Sequence, residues 1–196
     1  MKTILITPPA SLPVSLADMK EHCVVDPTFA EDDDLITGLI DAAAKYTEQY
    51  LGCKLITQTY KLLLDCWPVG DKITIPFCKC SEITSVKYTD EDSVEDTFSS
   101  SLYIKDTDSV PARAVLVTGE TWPSDVLLNV NPITVQFITG YGVAGDVPTP
   151  ICQAIKLLVG HWYLHREAVV IGQVPRMLRL SVDSLLGPFR KDGGLI

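Results

Sequence analysis

Hydrophobic spacing changes twice along this chain, and those changes limit what it can become. From Leu35 to Tyr50 the residues Leu35, Ile36, Leu39, Ile40, Ala43, Tyr46, Thr47 and Tyr50 recur at the spacing of one helix face. From Leu55 to Thr139 the spacing shortens: Ile56, Tyr60 and Leu62 alternate with Thr57, Thr59 and Lys61. At Ile151 the helical spacing returns through Ala154, Ile155, Leu158, Val159 and Trp162. Helix, then strands, then helix reads as α+β: N-terminal helices and a long C-terminal helix forming a small bundle, with a large antiparallel β insertion.

Local signals set the boundaries. Ser15, with Asp18 three residues on, starts a short helix that ends near His22 or Cys23. The acidic run Glu31–Asp34 opens the second helix, where carboxylates offset the positive end, and Gly52 stops it. About six strands are expected, at residues 55–62, 72–77, 82–88, 98–104, 112–117 and 133–139. The charged loop Thr89–Asp96 is an exposed turn that keeps neighbouring strand edges from mispairing. Thr149 caps the last long helix, and Pro150 suits its first position, where no amide is needed. Ser181–Leu186 reads as a short helix closed by Gly187-Pro188. The chain divides into a helical part (1–54), a β region (55–139), the long helix completing the helical body (140–175) and a C-terminal tail (176–196).

Composition excludes several classes. Apolar residues are 46% of the chain, enough for a sizeable core. No stretch approaches the ~18 apolar residues of a membrane span. The first apolar run is short and broken by Pro8 and Pro9, so no signal peptide is expected. None of the six cysteines forms CxxC, and they read as reduced, structural thiols. The net charge of −9 lies almost wholly in residues 1–110. That does not suit a protein gripping nucleic acid by its phosphates, but a dipolar chain can meet complementary partners.

Three motifs invite a chemical reading. Gly140-Tyr-Gly-Val-Ala-Gly145 spells GxGxxG, the pattern of a dinucleotide loop. Four residues separate it from Pro150, Asp146 would repel a phosphate, and no parallel strand follows, so the glycines read as a turn. His161 and His165 lie one helical turn apart but lack the glutamate of HExxH and a third ligand. The acidic run lacks the glycine and the distant glutamate of a calcium loop. No catalytic constellation emerges, and no cofactor or metal is expected. Two other readings stay open: a nucleotide-binding enzyme using residues 140–145, or a DNA-binding protein using Arg176, Arg179, Arg190 and Lys191.

The last helix carries a surplus. Leu157 and Leu164 lie off its apolar stripe, and a helix apolar on two sides is buried on two sides. With Trp162 they form a candidate subunit contact.

Three segments, in order, resemble the head–tail connector (adaptor) proteins of tailed phages and prophages. They are SLADMKEHCVVD followed by EDDDLITGLIDAAAKYTEQYLGCKLITQTYKLLLDCWP, then PFCKCSEITSVKYTDED, then VQFITGYG leading to VPTPICQAIKLLVGHWYLHRE. The resemblance implies a non-enzymatic virion protein at the head–tail junction, assembled from the host cytoplasm. It implies a ring, a dodecamer beneath a portal protein, built from subunits that are monomers until they dock. The ring would extend the DNA channel without binding DNA specifically and would receive the next tail component. It also implies that a C-terminal segment engages the portal, here Arg176, Arg179, Phe189, Arg190 and Lys191. The β region is a departure from the smallest, all-helical adaptors.

Overall fold

The computed structural model describes residues 1–165 and 176–190, with side chains from 180 onward in the second stretch. It is α+β, and its chain sorts into two compact units. All described strands lie in one unit (Met1–Pro9 with Thr57–Gly140) and all described helices in the other (Ala10–Ile56 with residues from Tyr141 onward).

In the helical unit, α1 spans Leu16–Cys23, α2 Asp33–Leu51, α3 Thr149–Leu164 and α4 Arg176–Leu186. Ser15 caps α1 as its spacing predicts: its Oγ accepts from the Asp18 amide at 3.1 Å and donates to the Asp18 carboxylate at 2.6 Å. Gly52, at φ 68°, ends α2 in the left-handed conformation that glycine adopts without cost. The start of α3 differs from expectation. Thr149 is already helical, Pro148 is the capping residue, and no side chain caps the helix. The expected C-terminal helix is longer than Ser181–Leu186, beginning at Arg176.

One buried cation ties the connection before α2. Lys20 is 6% exposed; its Nζ donates to Phe29 O at 2.8 Å and Pro27 O at 3.3 Å, and it pairs with Asp33 Oδ1 at 2.5 Å. Lys20→Met keeps the stem but strips two carbonyls and a carboxylate of their donor. Thermal or urea unfolding should show a loss of about 2 kcal/mol.

The β unit holds eight strands in two sheets. Lys2–Thr7 (β1), Gln58–Leu64 (β2), Cys80–Thr89 (β4), Glu95–Phe98 (β5) and Ile133–Thr139 (β8) form an antiparallel sheet in the order β1-β2-β8-β4-β5. Lys72–Thr74 (β3), Tyr103–Asp106 (β6) and Arg113–Leu116 (β7) form a second, in the order β3-β7-β6. Two strands depart from the sequence reading. Lys2–Thr7, expected within the helical part, is an edge strand paired with β2. The single strand expected at 98–104 is the end of β5 and the start of β6, which belong to different sheets. Three serines break it: the Ser99 and Ser101 hydroxyls lie 2.8 Å apart, and the Leu102 amide bonds Ser99 O at 3.0 Å.

β8 is the spine of this unit. Ile133, Val135, Phe137 and Thr139 point to the buried face, and Leu62, Ile83 and Val86 pack with them. An aromatic cluster continues the core, with Trp67 and Trp122 stacked at 4.9 Å and Phe98 against Tyr103 at 5.8 Å. In the β6–β7 hairpin, Asp106 accepts from the Ser109 hydroxyl and Arg113 Nε, and these bonds hold its carboxyl at about 2.

Cys23, Cys66, Cys80 and Cys152 are free thiols, as expected; Cys53 and Cys78 correct the expectation of six reduced thiols, since each is in a disulfide. Burial pushes the Cys152 and Cys80 thiols up, as it does for inert, structural cysteines.

Candidate functional site

The glycine turn is built to close on itself. Gly140 and Gly142 hold φ of 129° and 140°, while Gly145 has no positive φ and sits in a short 3₁₀ turn, Ala144–Asp146. The Asp146 carboxylate folds back to accept the Val143 amide at 3.0 Å, and the Asp146 amide bonds Val143 O at 2.9 Å. A Cβ placed on Gly142 would collide with the Asp146 carboxylate. The space that a phosphate would need against the backbone is thus filled by an anion. A groove of about 650 Å³ runs beside the turn, lined by Gly145, Cys152, Asp18 and Lys156 among others. Lys156 is its cation, and Asp18 faces it, so the groove lacks the positive field of a nucleotide site. Gly142→Ala combines a backbone strained at positive φ with loss of the Asp146 bond. We expect a loss of about 2 kcal/mol by thermal unfolding, with no nucleotide affinity before or after.

The His161 and His165 rings lie 4.7 Å apart, and no group of three or more metal-ligating side chains occurs among the described residues. His22 packs toward Gly160 on α3, which accounts for the third histidine as a contact between helices.

The surplus apolar surface of α3 is present. Ile151, Ala154, Ile155, Leu158 and Val159 are buried; Leu157 and Trp162 are half-buried, and Leu164 is 76% exposed. α2 has a second such face. Ile36, Ile40, Ala43, Ala44, Thr47 and Leu51 are buried, whereas Leu35, Ala42 and Tyr46 face outward with Leu39 half-buried. The sequence reading merged both faces into one stripe. The spacing 35, 39, 42, 46 is the signal that separates them.

The C-terminal segment is only partly a free surface. Val182 and Leu186 of α4 are buried in the helical unit. The Arg190 guanidinium lies 5.3 Å from the centroid of the Tyr50 ring. Burial and the Asp183 carboxylate push the Tyr50 hydroxyl up. Phe189 is half-buried and Arg190 exposed. Arg176 and Arg179 occupy the first turn of α4, their side chains outside the described part, and Lys191 lies outside the described residues.

The described residues offer apolar helix faces and a partly anchored C-terminal segment. Residues 13–106, which cover α1, α2 and β2 through β6, match the family of phage gp6-like head-tail connector proteins. The match takes in 94 of the 196 residues, just under half of the chain. The chain's fold recurs in chains of gene transfer agent (GTA) particles. One, from the "neck of empty GTA particle computed with C6 symmetry", is 20% identical with a TM-score of 0.79. A second, from the "virion of native gene transfer agent (GTA) particle", is 20% identical with a TM-score of 0.78. A third, from the "neck of native GTA particle computed with C12 symmetry", is 21% identical with a TM-score of 0.77. Each alignment covers 97% of this chain and 95% of the other. No curated protein matches the chain in sequence.

Proposed function

We propose that this connector assembles as a closed ring beneath the portal of a tailed phage, prophage or related particle. The ring extends the DNA channel and gives the next tail component its docking surface. The observation that carries this reading is the connector-family match over residues 13–106. The fold likeness to chains of particle necks, one treated with C12 symmetry, supports a virion location and a dodecamer. A net charge of −9 suits a conduit through which DNA passes without being held. The glycine turn, filled by Asp146, gives the nucleotide-enzyme reading no support.

Leu157, Trp162 and Leu164 are the proposed subunit contact. Portal docking is assigned to Arg176, Arg179, Phe189, Arg190 and Lys191, with Val182 and Leu186 holding α4 to its own subunit. Leu164→Glu tests the contact without touching the core. An exposed change of this kind should alter stability by less than about 0.5 kcal/mol. A buried carboxylate at the ring contact should abolish co-sedimentation of a ring with the portal. Normal ring formation by Leu164→Glu would remove that residue from the interface.

A further inference from the structure

The five-stranded sheet has two unlike edges. β1 is exposed along nearly its whole length, and Ile4, Leu5 and Ile6 are 39%, 44% and 45% exposed. It is six residues long, contains no proline, and carries one charge, Lys2. Natural edge strands are blunted by charge, brevity, a bulge or a covering element; β1 has Lys2 at its start and an irregular register between Leu5 and Thr7, which leaves Lys2–Leu5 as a regular stretch of edge. The opposite edge, β5, is four residues long and acidic: Glu95 pairs with Lys87 at 2.6 Å, and Asp96 Oδ1 holds the Thr97 amide at 2.7 Å.

We infer that β1 of one copy adds to the β5 edge of a neighbouring copy, so that adjacent subunits share a continuous sheet. The inference rests on the ring reading. Every pairing in this sheet is antiparallel, so across β1-β2-β8-β4-β5 the first and last strands run in the same direction. Rotation about a ring axis along the strands preserves that direction, and β1 therefore meets β5 in parallel. Such a contact joins two different patches, as a head-to-tail ring requires.

Face and charge then fix the register. On β1, Thr3 and Leu5 stand opposite Leu62 and Tyr60 on the buried face, and Lys2 and Ile4 lie on the other. On β5, Asp96 and Phe98 share the buried face through Tyr88 and Val86, and Glu95 and Thr97 lie on the other. In-register parallel pairing sets Lys2 beside Glu95, Ile4 beside Thr97 and Leu5 beside Phe98. A slip of one residue would put Lys2 on the face of Asp96 and Phe98. Lys2 brings a second cation to a strand whose preceding turn carries Asp90, Glu91 and Asp92. The exposed Leu5 gains the edge of the aromatic cluster. The Thr97 amide exchanges the Asp96 carboxylate for a strand partner.

Cysteine cross-linking tests the pairing in the full chain mixed with its portal, on a Cys66→Ser background because Cys66 is exposed. Ile4→Cys with Thr97→Cys, both exposed, should give under mild oxidation a ladder of covalent species beyond the dimer. Neither single change should do so. Lys2→Cys with Glu95→Cys tests the same register independently should one pair fail to fold. Dimers from Ile4→Cys alone would mean that two β1 edges meet and would overturn the inference. So would rings visible by electron microscopy without a ladder, which would leave the ring reading intact. Absence of both rings and ladder would overturn the two together.

Discussion

Replacing Phe137 by alanine should cost about 3–5 kcal/mol and leave the β unit largely unfolded at 37 °C. Phe137 is fully buried on the central strand β8, paired with Tyr60 on β2 and Ile83 on β4. Its ring lies 6.0 Å from Tyr60 and 6.1 Å from Phe77. Truncation removes the contact between both flanking strands and leaves a cavity that the sheet, hydrogen-bonded on both sides of β8, cannot collapse to fill. The change is read as lost near-ultraviolet dichroism with helical signal retained. Native-like stability in Phe137→Ala would mean that the core lies elsewhere.

The second large effect concerns the C-terminus. Ending the chain after residue 175 removes Val182 and Leu186, both buried, and the cation–π contact on Tyr50. Loss of two such side chains from a core costs about 3–6 kcal/mol. The truncated protein should therefore lose docking and also much of the stability of its helical unit. Ending after Phe189 should spare the helical core and remove Arg190 and the basic end. Comparing unfolding midpoints of the two truncations separates the anchor from the docking surface. Equal stability of both would place α4 outside the helical core.

Much of this molecule was readable before any fold was in hand. The Ser15 cap, the Gly52 stop and the strand at Ile133–Thr139 follow from local chemistry that packing did not override. Lys2–Thr7 escaped notice because its alternating side chains are exposed on both faces, so no buried stripe marks it. The Phe98–Ile104 segment misled because serines are compatible with strands, and only the hydrogen bonds around Ser99 turn the chain from one sheet to the other. The two faces of α2 were merged because a half-exposed helix and a fully buried one share the same apolar positions. The glycine turn is legible from the spacing to Pro150, from the missing parallel strand and from Asp146, whose carboxylate accepts the Val143 amide in the fold. The proposed contacts with another subunit leave a weaker mark, an exposed apolar residue, as at Leu164 and Leu5.

The central claim is that this chain is a ring-forming connector between portal and tail. Cryo-electron microscopy of the full-length protein mixed with the portal of the same particle tests it most directly. The account predicts an added ring of twelve copies on the tail-facing side of the portal. Portal particles left bare at saturating connector concentration would contradict it.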